Sequence, residues 1–359
     1  MSAAAGVYPA LNKPLAITMG DAAGIGPEII AKGFAAEPAL FAGCFVAGDV
    51  QAMRQASALA GRMPAWPVVE LSDPAEALSA PPGCLPVFQI GAALGPVAYG
   101  HVSAAAGRFA GQCVQWAAHE ALQGALAGLV TAPLHKQALS EAGPPFDSYP
   151  GHTEMLQALA ATHAGTRVDQ MPVRMMLANP QLRVVLVSIH MALRQAIEAV
   201  TTTRVLETIL ITDRALRAAL GRAPRIAVAG LNPHAGEGGL FGSEEADIIA
   251  PAIAQAQALG CDASGPWPPD TVFMQARAGP QGPGAFDVVV AMYHDQGLIP
   301  VKYLGVEEGV NLTLGLPLVR TSPDHGTAFD IAGRGCADPA SLICAVRMAR
   351  QWALPQAAA

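Results

Sequence analysis

The sequence predicts an α/β protein with a mostly parallel sheet and helices on both faces. Short apolar runs, such as 15–19, 226–231 and 288–292, recur along the chain and are too short for typical helices. Longer segments with helical apolar periodicity separate them. Hydrophobic residues make up 52% and charged residues 14% of the 359 residues, which is ample material for a buried core. This length favours two domains.

The composition also excludes several classes of protein. The formal charge is −7 and there is no cluster of Lys and Arg, so the chain does not have the basic face of a nucleic-acid binder. Residues 1–13 lack the layout of a secretory signal, and no apolar run approaches the ~18 residues of a membrane span. The six cysteines are widely spaced without a C-x-x-C pair, as expected of buried thiols. We therefore expect a cytoplasmic protein that binds neither nucleic acid nor membrane.

The N-terminal part is predicted to begin with a strand, a glycine-rich turn and a helix. The apolar run 15–19 leads into the turn at 20–26, and Pro27 marks the start of the helix. Such a unit can present backbone N–H groups to an anion, although its spacing matches neither common nucleotide-binding glycine motif. An ordinary βα connection is the alternative. The further elements expected are a strand at 45–47, edge strands and loops over 62–100, a helix at 104–127 and a strand at 129–130 that ends at 131–136.

The alternation continues after a break at 143–149, rich in Pro and Gly, which we interpret as a domain boundary. Thr153, just before a helix expected from residue 155, has the residue type of an N-cap. The elements expected after it are adjacent strands at 173–177 and 184–189, a helix at 203–220, a strand at 226–231, a helix start at 243–245, a strand at 288–292 and a helix at 339–354.

Three histidines share one position, each directly after a predicted strand. His190, His234 and His294 follow apolar runs, and parallel strands bring their carboxyl ends to one edge of a sheet. Three imidazoles suit Zn²⁺, Co²⁺, Ni²⁺ or Fe²⁺ and leave a coordination position open for a substrate. Asp295 and Asp324 are available to orient a ligand through its other ring nitrogen. The alternative for each histidine alone is a hydrogen-bonded residue at the start of a loop.

Two cations and an amide follow the third of these strands. Lys302, Asn311 and Arg320 come after His294 at spacings of about nine residues. Two cations near a predicted metal site in an acidic protein favour an anionic substrate, with phosphate or carboxylate as the recognised group. Solvated loop charge is the alternative interpretation.

Seven segments of the chain combine glycines with His, Lys, Arg, Asp and Glu in recognisable patterns. They are, in order, GDAAGIGPEI (20–29), TAPLHK (131–136), PGHTEML (150–156), SIHMALR (188–194), LNPHAGEGGLFGSEE (231–245), YHDQGLIPVKYLG (293–305) and VNLTLGLPLVRTSPDHGTAFDIAG (310–333). Together these segments are similar to the 4-hydroxythreonine-4-phosphate dehydrogenase family of vitamin B6 biosynthesis. More distantly, GDAAGIGPE and DHGTAFDIAG resemble segments of isopropylmalate and isocitrate dehydrogenases.

The resemblance implies a set of site residues and a two-domain α/β/α architecture of the isocitrate/isopropylmalate dehydrogenase type. It implies a homodimer with each active site in an interdomain cleft at the subunit interface, and metal ligands drawn from both chains. Domain I would comprise 1–145 plus 327–359, and domain II, 146–326, would carry the metal and substrate residues. The implied roles are one divalent metal (Zn, Mg or Co) on His190, His234 and His294, substrate binding by His152, Thr153, Lys302, Asn311 and Arg320, and NAD(P) binding by Gly326, Thr327 and Asp330.

The resemblance leaves the substrate and the general base open. Asp295 and Lys302 are both candidates for the catalytic base. HMALR and GLIPVK look closer to paralogues that oxidise threonate or erythronate 4-phosphate, and a more distant group acts on a dihydrodiol of terephthalate. A metal hydrolase with three histidines and a non-enzymatic anion-binding protein are the alternatives from other classes.

Overall fold

The computed structural model describes residues 8–61, 65–280 and 282–354. Within them the chain forms two compact units. The first contains the residues up to Pro172 together with Leu316–Leu354, and the second is Val173–Gly315.

Strands and helices alternate along most of the chain. The strands are β1 Leu15–Thr18, β2 Cys44–Gly48, β3 Val68–Glu70, β4 Leu85–Gln89, β5 Gly128–Thr131, β6 Arg174–Ala178, β7 Arg183–Leu186, β8 Ile226–Ala229, β9 Ala263–Trp267, β10 Val288–Ala291, β11 Val310–Leu314 and β12 Arg320–Pro323. The helices are α1 Gly26–Ala36, α2 Val50–Leu59, α3 Ala104–Leu122, α4 Lys136–Glu141, α5 His152–His163, α6 Leu193–Glu198, α7 Thr202–Leu220, α8 Ala250–Ala258, α9 Val272–Ala276, α10 His294–Tyr303 and α11 Ala340–Ala353.

In the first unit the strands lie in the order β3-β4-β2-β1-β5-β12, and all five neighbouring pairs are parallel. The strands β1, β2 and β5 are fully buried, as the continuous apolar runs in the sequence predict. Both strands expected within the stretch 62–100 are present, with β3 at the edge of the sheet and β4 between β3 and β2.

In the second unit the order is β11-β6-β7-β10-β8-β9. The strand β6 is antiparallel to both β11 and β7, whereas β7, β10, β8 and β9 pair in parallel. Buried Val, Leu and Ala side chains of β7, β8 and β10 form the core of this unit with Leu298 and Val301 of α10. The predicted fold class, an α/β protein with a mostly parallel sheet, is confirmed.

Several predicted boundaries are corrected by local chemistry. Helix α3 begins where Ser103 Oγ accepts a hydrogen bond from the N–H of Ala106. It ends at Leu122 instead of 127 because Gly124 adopts a left-handed φ of 76°. Helix α5 begins at His152 after Gly151, so Thr153 lies inside the helix and its expected role as the N-cap is wrong. The strands β11 and β12 and the helix α10 were not foreseen.

The two compact units do not divide at the predicted domain bounds. Residues 146–172 and 316–326 were assigned to domain II, but they lie with the first unit. The reason is that β12 pairs with β5 and α5 packs against α3. Compact units defined by contacts need not coincide with domains, so the predicted division 1–145 plus 327–359 against 146–326 stays a prediction.

The prediction of buried thiols is correct for four of the six cysteines and wrong for Cys336, which is exposed, and Cys344, which is half-buried. All six lie in the described part of the chain, and none forms a disulfide. Among the residues that the structure describes, no helix combines the length and the apolar character needed to cross a membrane.

Candidate active site

The three histidines stand at one edge of the sheet in the second unit. His190 follows β7, His294 begins the helix after β10, and His234 follows β8. These strands are neighbours and pair in parallel, so their carboxyl ends meet at the same edge. The topology thus places all three imidazoles where ligands of open α/β sheets bind.

The rings of His190 and His294 form a pair, with centroids 5.7 Å apart. Both line a cavity of about 460 Å³ together with Tyr293 and Asp295. His234 lines a second cavity of about 750 Å³, to which Tyr293 and Asp295 also contribute. The side chains of the β10–α10 junction therefore stand between the two cavities and belong to both.

The groups at this sheet edge that could hold a divalent metal are imidazoles. In the part of the chain that the structure describes, no three His, Cys, Asp or Glu side chains converge as a metal-binding group. The chain does bring His190 and His294 together as an imidazole pair, with His234 in the loop after the adjacent strand. The chemistry of these imidazole donors suits Zn²⁺, Co²⁺ or a similar ion.

Two of the three histidines occupy strained backbone. His190 has a φ of 40° and His234 a φ of 54°. The left-handed region is continuous from His234 through Ala235, Gly236 and Glu237 to Gly238. A non-glycine residue there costs about 1 kcal/mol or more. Such strain concentrates at functional sites, because the rest of the structure holds the backbone in place.

Side-chain hydrogen bonds tie the three strand ends together. Ser188 Oγ donates to the carbonyl of Met292 at 2.9 Å. Gln296 Oε1 accepts the N–H of Met292 at 2.7 Å, and its Nε2 donates to the carbonyl of Gly230 at 2.8 Å. This chain of bonds, which we call the strand-end clamp, connects the ends of β7, β10 and β8. It fixes the spacing of the positions that carry the histidines.

The loop after β8 and the helix after β10 have their own supports. The buried carboxylate of Glu245 accepts the backbone N–H groups of Leu231 and Asn232, both at 2.7 Å. Gly297 lets α10 lie close to the sheet, since a Cβ there would be 2.5 Å from Leu186 Cδ2 and 2.7 Å from Val184 Cγ1. The first feature fixes the loop that carries His234, and the second fixes the helix that begins at His294.

Carboxylates contact two of the imidazoles at the same ring atom. His294 Nδ1 is 2.7 Å from Asp295 Oδ1, and His234 Nδ1 is 2.9 Å from Glu237 Oε2. A carboxylate at Nδ1 favours the tautomer whose Nε2 carries the lone pair that binds a metal. Asp324, the other aspartate predicted to orient a ligand, lies in the first unit, where its backbone N–H donates to Ser341 Oγ.

In the first unit the buried cation Arg320 lies beside the half-buried His152. Arg320, on β12, is only 7% exposed, and its Nε and Nη2 donate to Thr131 Oγ1 at 3.1 and 2.7 Å. Burial lowers the pKa of Arg320 to about 10, and Glu154 opposes the shift. Burial first, and the charge of Arg320 second, lower the pKa of His152 well below 6.5. His152 is therefore a neutral group beside a cation.

The ring of His152 also has an unused hydrogen-bonding atom. Its Nε2 is buried and meets no hydrogen-bond partner among the described residues. Thr153 is the next residue of α5, which opens with Glu154 in its first turn. A buried cation, with a neutral ring nitrogen beside it that can still form a hydrogen bond, is suited to binding an anionic group.

The segment predicted to bind NAD(P) is a loop of the first unit that packs on the glycine turn. The N–H of Ile25 donates to the carbonyl of Thr327 at 3.0 Å, and a Cβ on Gly24 would be 2.8 Å from that same oxygen. The ring of His135 stacks on Phe329 at 4.5 Å. Gly24 is thus required by backbone packing. The expected cofactor residues Gly326 and Asp330 are exposed in this loop.

The remaining predicted residues are in the second unit. Lys302 is in the last turn of α10, and Asn311 is half-buried on β11. Arg320 is on β12, so the three residues that are spaced regularly in the sequence belong to three different elements. Sequence reasoning gave no role to five polar residues that support these groups, namely Thr131, Ser188, Gln296, Glu237 and Glu245. Each lies near the end of a strand, in the first turn of the helix that follows a strand, or in the segment 231–245 after β8, and that position was the available signal.

Comparison with known proteins gives a family match over most of the chain. The family described as "Pyridoxal phosphate biosynthetic protein PdxA" matches residues 41–349. A 4-hydroxythreonine-4-phosphate dehydrogenase of Beijerinckia indica is 51% identical over 345 residues, which is 96% of each chain. A D-threonate 4-phosphate dehydrogenase of Pectobacterium atrosepticum is 44% identical over 96% of this chain and 100% of its own.

A solved structure has the same fold. The crystal structure of 4-hydroxythreonine-4-phosphate dehydrogenase from Klebsiella pneumoniae superposes with a TM-score of 0.82 at 44% identity. The match covers 96% of this chain and 100% of that one. The likeness therefore extends over both compact units.

Proposed function

This chain belongs to the family of the pyridoxal phosphate biosynthetic protein PdxA, and on that premise we propose that it is an NAD(P)-dependent dehydrogenase of 4-phosphooxy-L-threonine. The C3 hydroxyl is oxidised to give 2-amino-3-oxo-4-phosphooxybutanoate. This β-keto acid loses CO₂ to leave 3-amino-2-oxopropyl phosphate. The observation that carries the proposal is the placement of three imidazoles at the ends of the adjacent strands β7, β10 and β8.

We assign a divalent metal, Zn²⁺, Co²⁺ or Mg²⁺, to His190, His234 and His294. When bound, the metal supplies a Lewis acid for the substrate hydroxyl, and the nicotinamide supplies the hydride acceptor. Asp295 orients His294 through Nδ1. Asp295 and Lys302 are our two candidates for the group that takes up the hydroxyl proton.

The first unit would bind the anionic end of the substrate. Thr131 accepts a hydrogen bond from Arg320 and holds it in place. The guanidinium is buried, so its electrostatic attraction to an anion is stronger than it would be in water. Neutral His152 donates or accepts without adding charge, and Thr153 stands beside it on α5. Lys302 and Asn311 are the further substrate contacts in our proposal. Gly326, Thr327 and Asp330 are assigned to the nicotinamide cofactor.

A second copy of the chain would complete the site. Around the cavity that contains His234, the side chains of Met274, Ile299 and Tyr303 are 67%, 63% and 90% exposed. Apolar groups exposed together in this way favour burial against a protein surface. A homodimer would cover them and bring a second set of imidazoles to the edge where one chain offers an incomplete set. A cytoplasmic enzyme is the form we propose.

Initial rates on three substrates test the proposal. NADH or NADPH formation should be fastest with 4-phosphooxy-L-threonine, slower with D-threonate 4-phosphate and slowest with the terephthalate dihydrodiol. Treatment with a chelator should remove turnover, and Zn²⁺, Co²⁺ or Mg²⁺ should restore it. Full activity of the metal-free enzyme would refute the role of the metal.

D-threonate 4-phosphate is the second candidate substrate, favoured by the 44% identity to a dehydrogenase of that name. If kcat/KM is higher with this compound than with 4-phosphooxy-L-threonine, D-threonate 4-phosphate becomes the proposed substrate, and the proposed dehydrogenase reaction stays the same. The hydrolase and the non-enzymatic binding protein gain no support from the two relatives described above, which are both named dehydrogenases.

A further inference from the structure

The loop that carries His234 contains a carboxylate contact that the reaction does not yet explain. Glu237 Oε2 lies 2.9 Å from His234 Nδ1, three residues away along the chain. The backbone between them is left-handed at every residue, with φ of 54° at His234, 53° at Ala235, 81° at Gly236 and 44° at Glu237. This left-handed turn brings the carboxylate back onto the ring.

The contact is a poor source of stability. The side chains of His234 and Glu237 are 64% and 54% exposed, and exposed ion pairs contribute little to folding. The left-handed φ at Glu237 is unfavourable for any residue with a Cβ, and glycine would relieve it. A Glu at this position therefore works against stability, which indicates that its side chain has another use.

We propose that Glu237 is a positioning residue for His234, an inference that rests on the proposed metal-dependent function. Its carboxylate accepts the Nδ1–H of the imidazole and thereby selects the tautomer in which Nε2 is the metal donor. It also fixes the rotation of the ring about the covalent Cβ–Cγ bond, because the hydrogen bond at Nδ1 can form in only one ring orientation. His294 has the same arrangement with Asp295, so two of the three imidazoles are oriented by a carboxylate from their own loop.

The left-handed turn is itself anchored from the strand. Asn232, which precedes it, donates through Nδ2 to Glu244 Oε2 at 2.7 Å and to Glu245 Oε2 at 3.0 Å. A Cβ on Gly236 would lie 2.8 Å from Glu245 Oε2, so the turn also packs closely on that carboxylate. The backbone strain is thus held in place by the segment that begins at Glu244, independently of Glu237. Replacing Glu237 should leave the turn intact.

Imidazole ¹⁵N NMR of the metal-free full-length protein tests the tautomer. In mildly alkaline buffer His234 should be the Nδ1–H form in the wild type. In Glu237→Gln and Glu237→Gly it should move to a mixture with the Nε2–H form. Glu308→Gln, an exposed glutamate of the same unit, removes the same charge as a matched control and should leave the spectrum unchanged. An Nε2–H ring in the wild type, or no change in both Glu237 variants, overturns the proposal.

Two further measurements separate positioning from a structural role. Zn²⁺ titration should show a Kd about tenfold weaker for Glu237→Gly, with Glu237→Gln between that variant and the wild type. The unfolding temperature of Glu237→Gly should rise by about 2 °C because the strained φ is relieved. A structural ion pair predicts a fall in unfolding temperature with unchanged Zn²⁺ affinity, and that result overturns the proposal. A wild-type protein that has the Nδ1–H ring but binds no metal would instead contradict the proposed function.

Discussion

The candidate groups in the two units are held in contrasting surroundings. In the second unit His234 and His294 are 64% and 39% exposed, and the loop that carries His234 has a strained backbone. In the first unit Arg320 is buried on a regular strand, and Nε2 of His152 is buried beside it. The histidines of the second unit are positioned by backbone geometry and neighbouring carboxylates, whereas Arg320 and His152 of the first unit are positioned by burial.

The difference follows from what each group has to bind. A metal ligand must keep a nitrogen lone pair accessible, so a carboxylate at the opposite ring nitrogen is more useful than burial. An anion is bound more strongly by a cation in a low-dielectric environment, so burial of Arg320 is useful although it lowers the pKa of the guanidinium. The exposed group should therefore govern metal loading and kcat, whereas the buried group should govern substrate KM.

The largest effect is expected from the exposed group. His294→Ala removes half of the imidazole pair and should lower kcat/KM at least ~10³-fold, equivalent to about 4 kcal/mol. Metal analysis of the purified protein and initial rates at saturating metal measure the effect. His119→Ala, an exposed histidine on α3, is the matched control and should behave as the wild type. Equal metal content in both variants would show that the imidazole pair has no role in metal binding.

The next effect concerns the buried group. Arg320→Met should raise KM and lower kcat/KM by roughly 10²-fold, because charged hydrogen bonds are worth about 1.5–3 kcal/mol each. Metal content should not change. Substrate-saturation curves check this, with Arg167→Met as a control at an exposed arginine. A loss confined to kcat with unchanged KM would mean that the division of roles between the two units is wrong.

The strand-end clamp should have a smaller, structural effect. Gln296→Met removes two hydrogen bonds and leaves the buried N–H of Met292 and the carbonyl of Gly230 without this partner. The free energy of unfolding should fall by about 2 kcal/mol in urea titrations. Gln255→Met, on the exposed side of α8, is the control and should cause almost no change. A stability equal to the wild type would show that the clamp does not hold the strand ends.

The smallest effect is a pH dependence of stability from His152. Its folded pKa lies below the ordinary 6.5, so the unfolded chain takes up a proton first as the pH falls. Its contribution is therefore present above about pH 6.5 and is lost as the pH decreases through that value. Between pH 7 and pH 6 the loss should be less than about 1 kcal/mol.

His152→Asn should flatten this part of the curve, measured as unfolding temperature against pH. His163→Asn, at the exposed end of the same helix, should retain the wild-type slope. A steeper acid limb in His152→Asn would mean that the ring is stabilised by protonation, in conflict with its buried position beside Arg320.

Much of the fold followed from local patterns. The buried runs of β1, β8 and β10 and the periodic helix α7 lie close to their predicted bounds, because apolar periodicity reports burial directly. The strands β11 and β12 were missed because VNLTL and RTSP mix polar and apolar residues. Arg320 shows the reason: on β12 it is buried by tertiary packing, which no local pattern contains.

The candidate site was only partly predictable. The shared position of His190, His234 and His294 after strands could be seen in the sequence, since sheet topology brings such ends together. The strand-end clamp and the Glu237 contact could not, because they depend on side chains that meet across strands or through a left-handed turn. Whether the three imidazoles bind one ion remains a prediction, since no group of three converges in the described part of one chain.

Gly297 limits how this protein can diverge. Its hydrogen atom occupies space that a methyl group would share with Leu186 and Val184. A larger residue at position 297 is therefore accommodated more easily if Leu186 and Val184 have first been replaced by smaller residues. An enzyme engineer who varies the first turn of α10 to change substrate choice should randomise all three positions in one library, because a replacement at 297 alone forces Leu186 and Val184 to shift.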